Sequence, residues 1–152
     1  MQSQTPSCNH PIALLTQSKR LPLVWDALGV SYATWQKLLP ETRCASAFTE
    51  ARIETDRWIL KPAFGRVGEG INIPGTVSAT EESKIIQAAQ AHPTQWVAQK
   101  LFDSAPIDGF HTNVGIFVVE GAFAGCYARI SRTPKIDQDA SEIPILMRRH
   151  GG

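Results

Sequence analysis

A short apolar run that ends in a lysine and opens into a glycine-rich loop decides how this chain is interpreted. The stretch reads Trp58-Ile59-Leu60-Lys61-Pro62-Ala63-Phe64-Gly65-Arg66-Val67-Gly68-Glu69-Gly70-Ile71. The run before Lys61 is apolar and Pro62 disfavours a helix, so the pattern predicts a strand there. Glycines let backbone N–H groups approach a phosphate closely, and a lysine adds positive charge. The stretch therefore predicts either a phosphate-binding loop or a glycine-rich hairpin with a surface lysine.

Residue order excludes two familiar phosphate-binding motifs. A Walker A loop ends in Gly-Lys-Ser/Thr at the start of a helix, whereas Lys61 precedes the glycines. A Rossmann fingerprint needs GxGxxG before a helix, whereas this loop runs on into Ile71-Asn72-Ile73-Pro74.

Composition is that of one ordinary globular domain. The chain has 152 residues, 43% of them hydrophobic, and 15 Lys+Arg against 14 Asp+Glu give a formal net charge of +1. Such a balance argues against nonspecific nucleic-acid binding, and no apolar segment long enough for a signal peptide or a membrane span is expected. Cys8, Cys44 and Cys126 are widely spaced, which favours a reducing compartment and predicts the cytoplasm. Cys8 and His10 could form half of a metal site, but no second pair follows.

Three helices are expected from periodicity and end signals. One should begin at Pro22 and end at Gly29, and a second should span Tyr32–Leu39. The third, about Thr80–Ala91, should begin with a capping box. Ser78 and Glu81 would form that box, and the buried face would consist of Ile85, Ile86 and Ala89.

The order of predicted helices and strands along the chain indicates an α+β fold, because it does not alternate regularly as βαβ units do. A short strand is expected at Ile12–Leu15 and another at Trp96–Phe102. The runs Asn113–Val119 and Phe123–Ile130 should pair as a hairpin. We expect a loose tail over 1–11, one domain over 12–147 and a frayed end over 148–152.

The central stretch resembles the strand and glycine-rich loop of the ATP-grasp domain in glutathionylspermidine synthase-like proteins. Three further segments match that family in order, from about Ile12 to Leu146: Ser18–Trp25, Trp96–Phe102 and the hairpin Gly115–Ser131. The resemblance implies a partial ATP-grasp-like fold, with antiparallel or mixed sheets and flanking helices.

The resemblance also implies a set of nucleotide-binding residues. They are two phosphate-side lysines, a phosphate-covering loop and an adenine-side hinge: Lys19, Lys61; Gly65, Gly68, Glu69, Gly70; and Gln99, Lys100, Leu101. Arg129, near the end of the hairpin, and Lys135 just beyond it are candidate catalytic residues that could stabilise charge during phosphoryl transfer. Purely structural alternatives stay open: Lys19 could flank a helix, Gln99 could form a cross-strand pair, and Arg129 could pair with a surface carboxylate.

The implied chemistry joins a carboxylate to an amine through an acyl phosphate, at the expense of ATP. In that family the magnesium ligands precede the segment that Lys19 matches, so we expect ATP binding here but no ligase turnover by the chain alone. Asp137, Asp139 and Glu142 could be recruited to Mg²⁺, although such carboxylates are usually solvated. The alternative is a non-catalytic nucleotide-binding or regulatory module that needs a complementary N-terminal chain.

Overall fold

The computed structural model of the protein describes residues 15–29, 33–48 and 57–147. Within these residues, six strands form two antiparallel three-stranded sheets, accompanied by two α-helices and several 3-10 turns. The α+β class is therefore confirmed. The expected tail and frayed end lie outside the described residues, as does most of the strand expected at Ile12–Leu15.

The first sheet consists of β1 (Thr42–Cys44), β2 (Trp58–Pro62) and β3 (Trp96–Lys100). Its order is β1-β3-β2, so β3 is the central strand and pairs antiparallel with both neighbours. The strands predicted before Lys61 and after Trp96 are confirmed. Strand β1 was not predicted, because three residues are too few to show a strand period.

One face of this sheet packs against the longer helix. That helix, α2 (Ala79–Ala91), begins where the Ser78 side chain accepts the Glu81 N–H at 3.2 Å, so the predicted N-terminal cap is confirmed. The reciprocal bond of a capping box, from the Ser78 N–H to the Glu81 side chain, is not found among the described residues. Successive side chains of a strand point to opposite faces, and alternate strand residues meet the helix in one buried cluster. Its members are Ala45, Phe48, Trp58, Leu60, Ile85, Ile86, Ala89 and Ala98. Burying each large apolar side chain contributes about 1.5–3 kcal/mol.

The short helices before β1 are less regular than their sequence suggests. The helix expected from Pro22 is two 3-10 turns, Leu21–Leu23 and Asp26–Leu28, although the left-handed exit at Gly29 is present with φ 64°. Segments this short do not sustain an isolated α-helix. The second helix, α1 (Ala33–Leu38), falls within the predicted Tyr32–Leu39.

The second sheet is built on the predicted hairpin. Strands β4 (His111–Val119) and β5 (Ala122–Ser131) are joined by Glu120 and Gly121, whose φ angles of 51° and 78° fit a type I′ turn. A short strand, β6 (Ser141–Ile143), pairs with the other edge of β5. The hairpin is confirmed, and β6, like β1, was too short to predict.

A buried asparagine fixes the far end of the glycine-rich loop to the first sheet. Asn72 is 1% exposed, and its Oδ1 accepts the N–H of Leu60 on β2 at 2.6 Å. Its Nδ2 donates to Glu82 on α2 at 3.4 Å. Asn72 therefore supplies the acceptor for the Leu60 N–H that a neighbouring strand would otherwise supply at the edge of β2. It also links this edge to α2.

We expect Asn72→Ala to lower the free energy of unfolding by about 1–3 kcal/mol, because the buried N–H of Leu60 then loses its acceptor. Urea unfolding followed by tryptophan fluorescence measures this loss. Asn113→Ala is the matched control, since Asn113 is exposed on β4. Equal midpoints for the two variants would show that the Asn72 bond does not stabilise the fold.

Candidate functional site

Lys61 lies on the face of the first sheet opposite α2 and ends a line of polar side chains that crosses all three strands. Its Nζ donates to Gln99 Oε1 at 2.6 Å, and Gln99 Nε2 donates to Thr42 Oγ1 at 3.0 Å. The Thr42 hydroxyl in turn donates to the carbonyl of Pro40 at 3.1 Å. Gln99 thus bonds across the sheet to side chains of both neighbouring strands, which is the cross-strand pairing that the sequence left open. Its bond to Lys61 sets the position of the ammonium group.

Lys19 reaches the same region from the segment just before the 3-10 turn Leu21–Leu23. Its backbone N–H donates to the carbonyl of Ala63 at 2.9 Å, and its Nζ donates to the carbonyl of Gly65 at 2.5 Å. Both lysines therefore lie at the base of the glycine-rich loop: Lys61 directly precedes Pro62, and Lys19 bonds to Ala63 and Gly65 just after it.

Burial makes the ammonium groups of this pair costly to hold. Burial and, to a lesser extent, the nearby charge of Lys19 together lower the pKa of Lys61 from 10.5 to about 8. Burial also lowers the pKa of Lys19. A partly buried pair of like charges gains more from a bound anion than a lysine in open solvent does, because the anion relieves both the desolvation and the repulsion.

The glycine-rich loop is pinched at its base and turned sharply at its tip. A Cβ at Gly65 would lie 2.9 Å from Pro62 Cγ and a Cβ at Gly70 3.0 Å from the same atom, so both glycines allow the chain to close on the Pro62 ring. At the tip, Val67 and Gly68 have φ angles of 47° and 72°. The N–H of Glu69 bonds to the carbonyl of Arg66 at 2.9 Å, which completes a type I′ turn.

Several backbone donors of this loop are available to a ligand. Among the described residues, no acceptor is found for the N–H groups of Arg66, Val67, Gly68 or Gly70. Consecutive free N–H groups in such turns form concavities that bind anions. The loop thus supplies donors, and Lys19 and Lys61 supply charge.

Two hollows lie on either side of Phe64, whose side chain is 62% exposed. One is a cavity of about 310 Å³ lined by Arg20, residues 62–65, Thr94 and Gln95. Arg20 Nη1 donates to the carbonyls of Pro93 and Trp96, which fixes this wall. The other, about 380 Å³, is lined by Gln17, Phe64, Gly65 and Arg66. Neither Arg20 nor Phe64 was singled out from the sequence, since an isolated charge and a loop aromatic carry no periodic signal.

The predicted adenine-side segment is part of the sheet. The N–H of Lys100 donates to the carbonyl of Glu41, and that of Leu101 donates to the carbonyl of Arg57, each at 2.8 Å. An adenine edge at this strand would have to use other groups than these two donors. The assignment of Gln99, Lys100 and Leu101 to adenine stays a prediction.

Arg129 and Lys135 come together at the connection between β5 and β6 of the second sheet. Arg129 Nη2 donates to the backbone carbonyl of Asp137 at 2.5 Å, and Lys135 Nζ lies 3.9 Å from Asp137 Oδ2. The partner of Arg129 is thus a backbone carbonyl, and not the surface carboxylate that the purely structural interpretation of the sequence expected. The catalytic assignment of both residues stays a prediction.

The described residues do not fit a magnesium site. In residues 15–29, 33–48 and 57–147, no group of three or more His, Cys, Asp or Glu side chains could hold a metal ion. Asp137 Oδ1 accepts the N–H of Asp139 at 3.1 Å and so braces a turn. Cys8 and His10 lie outside the described residues.

In residues 15–29, 33–48 and 57–147, no helix is long and apolar enough to cross a membrane.

The lowered pKa of Lys61 predicts how stability varies with pH. The Lys61 amine keeps its proton up to about pH 10.5 in the unfolded chain but only up to about pH 8 in the folded chain. Between these pH values the unfolded state therefore binds more protons. The cost of burying the charged amine is therefore present below about pH 8 and is relieved as the pH rises through this window. We expect the stability of Lys61→Met relative to wild type to fall between about pH 7 and about pH 10.

Urea unfolding of wild type and Lys61→Met across this pH range tests the expectation. Lys84→Met is the matched control, because Lys84 is exposed on α2. A difference between Lys61→Met and wild type that does not change with pH would contradict a buried, desolvated amine.

Comparison with known proteins identifies the family of the chain. A search of curated proteins finds no match. A family model described as "Glutathionylspermidine synthase preATP-grasp" matches residues 2–148, which include both sheets, both lysines and the whole glycine-rich loop. The chain therefore belongs to the glutathionylspermidine synthase preATP-grasp family.

Proposed function

We propose that this chain is the nucleotide-binding part of an ATP-dependent carboxylate–amine ligase related to glutathionylspermidine synthase. One observation carries the proposal: Lys19 and Lys61, two partly buried amines with lowered pKa values, flank the base of a loop with free N–H donors. Phosphate groups match this arrangement, because they accept several hydrogen bonds at once and carry the opposite charge.

Each element of the site has a distinct role in the proposal. Lys61 binds a phosphate oxygen from the sheet, where Gln99 limits the positions its ammonium group can take. Lys19 is tied to Gly65, so it binds phosphate and holds the start of the loop at the same time. The tip of the loop covers the phosphates and excludes water, which strengthens every electrostatic interaction beneath it.

In such a ligase the terminal phosphoryl group passes from ATP to a carboxylate, giving an acyl phosphate and ADP. An amine then displaces phosphate and forms the amide. Lys19 and Lys61 stabilise charge on the phosphates as they separate, but they supply no oxygen ligands for Mg²⁺, which prefers carboxylates and water. The proposed cofactors are ATP and magnesium, and the proposed site of action is the cytoplasm.

A second candidate function is a non-catalytic nucleotide-binding or regulatory module that needs a complementary chain. The hairpin favours it, because apolar side chains of β4 and β5 are more than half exposed: Val114, Ile116, Phe117, Val118, Val119 and Phe123. A sheet is expected to bury an apolar face against another layer. Phosphate release and amide formation with ATP, magnesium, glutathione and polyamines distinguish the two candidates. Amide formation that appears only with an added complementary chain supports the ligase, and nucleotide binding without turnover even then supports the non-catalytic module. Turnover by this chain alone would contradict the expectation that it has no ligase activity in isolation.

We expect Lys61→Met to weaken ATP and ADP binding about 10- to 150-fold, the loss that corresponds to a charge-assisted hydrogen bond of about 1.5–3 kcal/mol. Isothermal titration calorimetry measures both affinities. Lys84→Met controls for the loss of one positive charge and should bind as wild type does. Equal affinity in wild type and Lys61→Met, or no binding by wild type, would refute the nucleotide assignment.

Affinity should also fall as the pH rises above about 8, because Lys61 then loses the charge that attracts phosphate. Titrations on both sides of that pH measure the fall. The affinity of Lys61→Met should change less over the same range, and parallel curves would contradict a role for the Lys61 charge.

A further inference from the structure

The connection between β5 and β6, residues 132–140, is held in one conformation by its own hydrogen bonds. The carbonyl of Asp137 accepts from Arg129 Nη2 at 2.5 Å and from the N–H of Ala140 at 3.1 Å. The side chain of Asp137 accepts the N–H of Asp139, and Lys135 lies near its other oxygen. Asp137 is thus the centre of this connection, and Arg129 is its link to the sheet.

The tip of the glycine-rich loop lies directly against this connection. A Cβ built at Gly68 would be 3.0 Å from the carbonyl oxygen of Ile136 and 3.3 Å from Asp137 Cβ. With φ at +72°, the position also disfavours any L side chain. Gly68 therefore joins a loop of the first sheet to a connection of the second sheet by a contact that only glycine accommodates without displacement.

Arg129 is well placed to fix this contact. It lies on β5, the central strand of its sheet, opposite Asn113 on β4 and Glu142 on β6. Its Nε is buried and has no acceptor among the described residues, and its Nη2 is engaged with Asp137. A guanidinium on a strand that is paired on both sides gives the connection a rigid point of attachment.

We propose that Arg129 is a positioning residue for the glycine-rich loop. It holds the β5–β6 connection at Asp137, and the connection in turn contacts Gly68. The glycine-rich loop is thereby kept in place beside Lys19 and Lys61. The effect on a bound nucleotide rests on the proposed function, whereas the contact of loop and connection does not. A loop rich in glycine loses much backbone entropy on ordering, so a preformed point of contact lowers the cost of closing over phosphate.

The first arm of the experiment uses the protein without nucleotide. Trypsin cleaves after Arg66, at the turn that Gly68 completes, and mass spectrometry follows the rate at that bond. We expect Arg129→Met to increase this rate about tenfold, because the loop tip loses its fixed support. Arg132→Met is the matched control, since it removes a neighbouring arginine that stacks on Phe110 instead of binding Asp137. Cleavage after Lys37 in α1 should stay unchanged and shows that the fold is intact.

Two further variants keep the first arm decisive if Arg129→Met unfolds. Arg129→Lys retains a donor for Asp137 and should restore part of the protection. Gly68→Ala leaves Arg129 in place and should raise cleavage after Arg66 as much as Arg129→Met does. An unchanged rate in Gly68→Ala, or equal rates in Arg129→Met and Arg132→Met, would overturn the proposal.

The second arm measures ADP affinity by calorimetry. We expect Gly68→Ala and Arg129→Met each to weaken ADP binding several-fold. The double variant should lose no more affinity than the single variant with the larger loss, because both substitutions act at one contact. Additive losses would mean that Arg129 binds nucleotide itself and would overturn the positioning role. If wild type binds no nucleotide, the proposed function fails, while the cleavage rates still decide whether Arg129 holds the loop.

Discussion

Two like charges held close together in partly buried positions are the constraint on which the site depends. Lys61 is fixed through Gln99 and Thr42 across three strands, and Lys19 is fixed through the carbonyl of Gly65. Burial and mutual repulsion both oppose the charged form of Lys61, so the sheet must be stable enough to offset this cost. The cluster on the opposite face, where α2 covers β2 and β3, provides that stability.

The glycine-rich loop is restrained at three points, although its composition suggests freedom throughout. Its base closes on the Pro62 ring, its far end is fixed by Asn72, and Gly68 at its tip meets the β5–β6 connection. Glycine is needed at the base and the tip because other atoms approach too closely for a side chain. Between these points lie the loop N–H groups that have no acceptor among the described residues, and the restrained points limit how far the loop can move.

The two sheets contribute different things to the candidate site. The first sheet carries the lysines and is covered by a helix, while the second carries Arg129 and leaves much of its hairpin exposed. Gly68 is the point at which the loop of one meets the connection of the other.

Local patterns determined much of this protein from sequence alone: the strand that carries Lys61, the N-terminal cap at Ser78, the hairpin and the family. The strand, the cap and the hairpin depend on patterns within short segments, and the family resemblance depends on several such segments in order, all of which a sequence displays directly. Tertiary structure alone decided that Gln99 orients Lys61, that Asn72 replaces a strand partner of Leu60, and that Arg129 bonds to the Asp137 backbone. Strands β1 and β6 also escaped prediction. All these features depend on residues distant in sequence or on pairing too short to show a period, so only the folded chain brings them together.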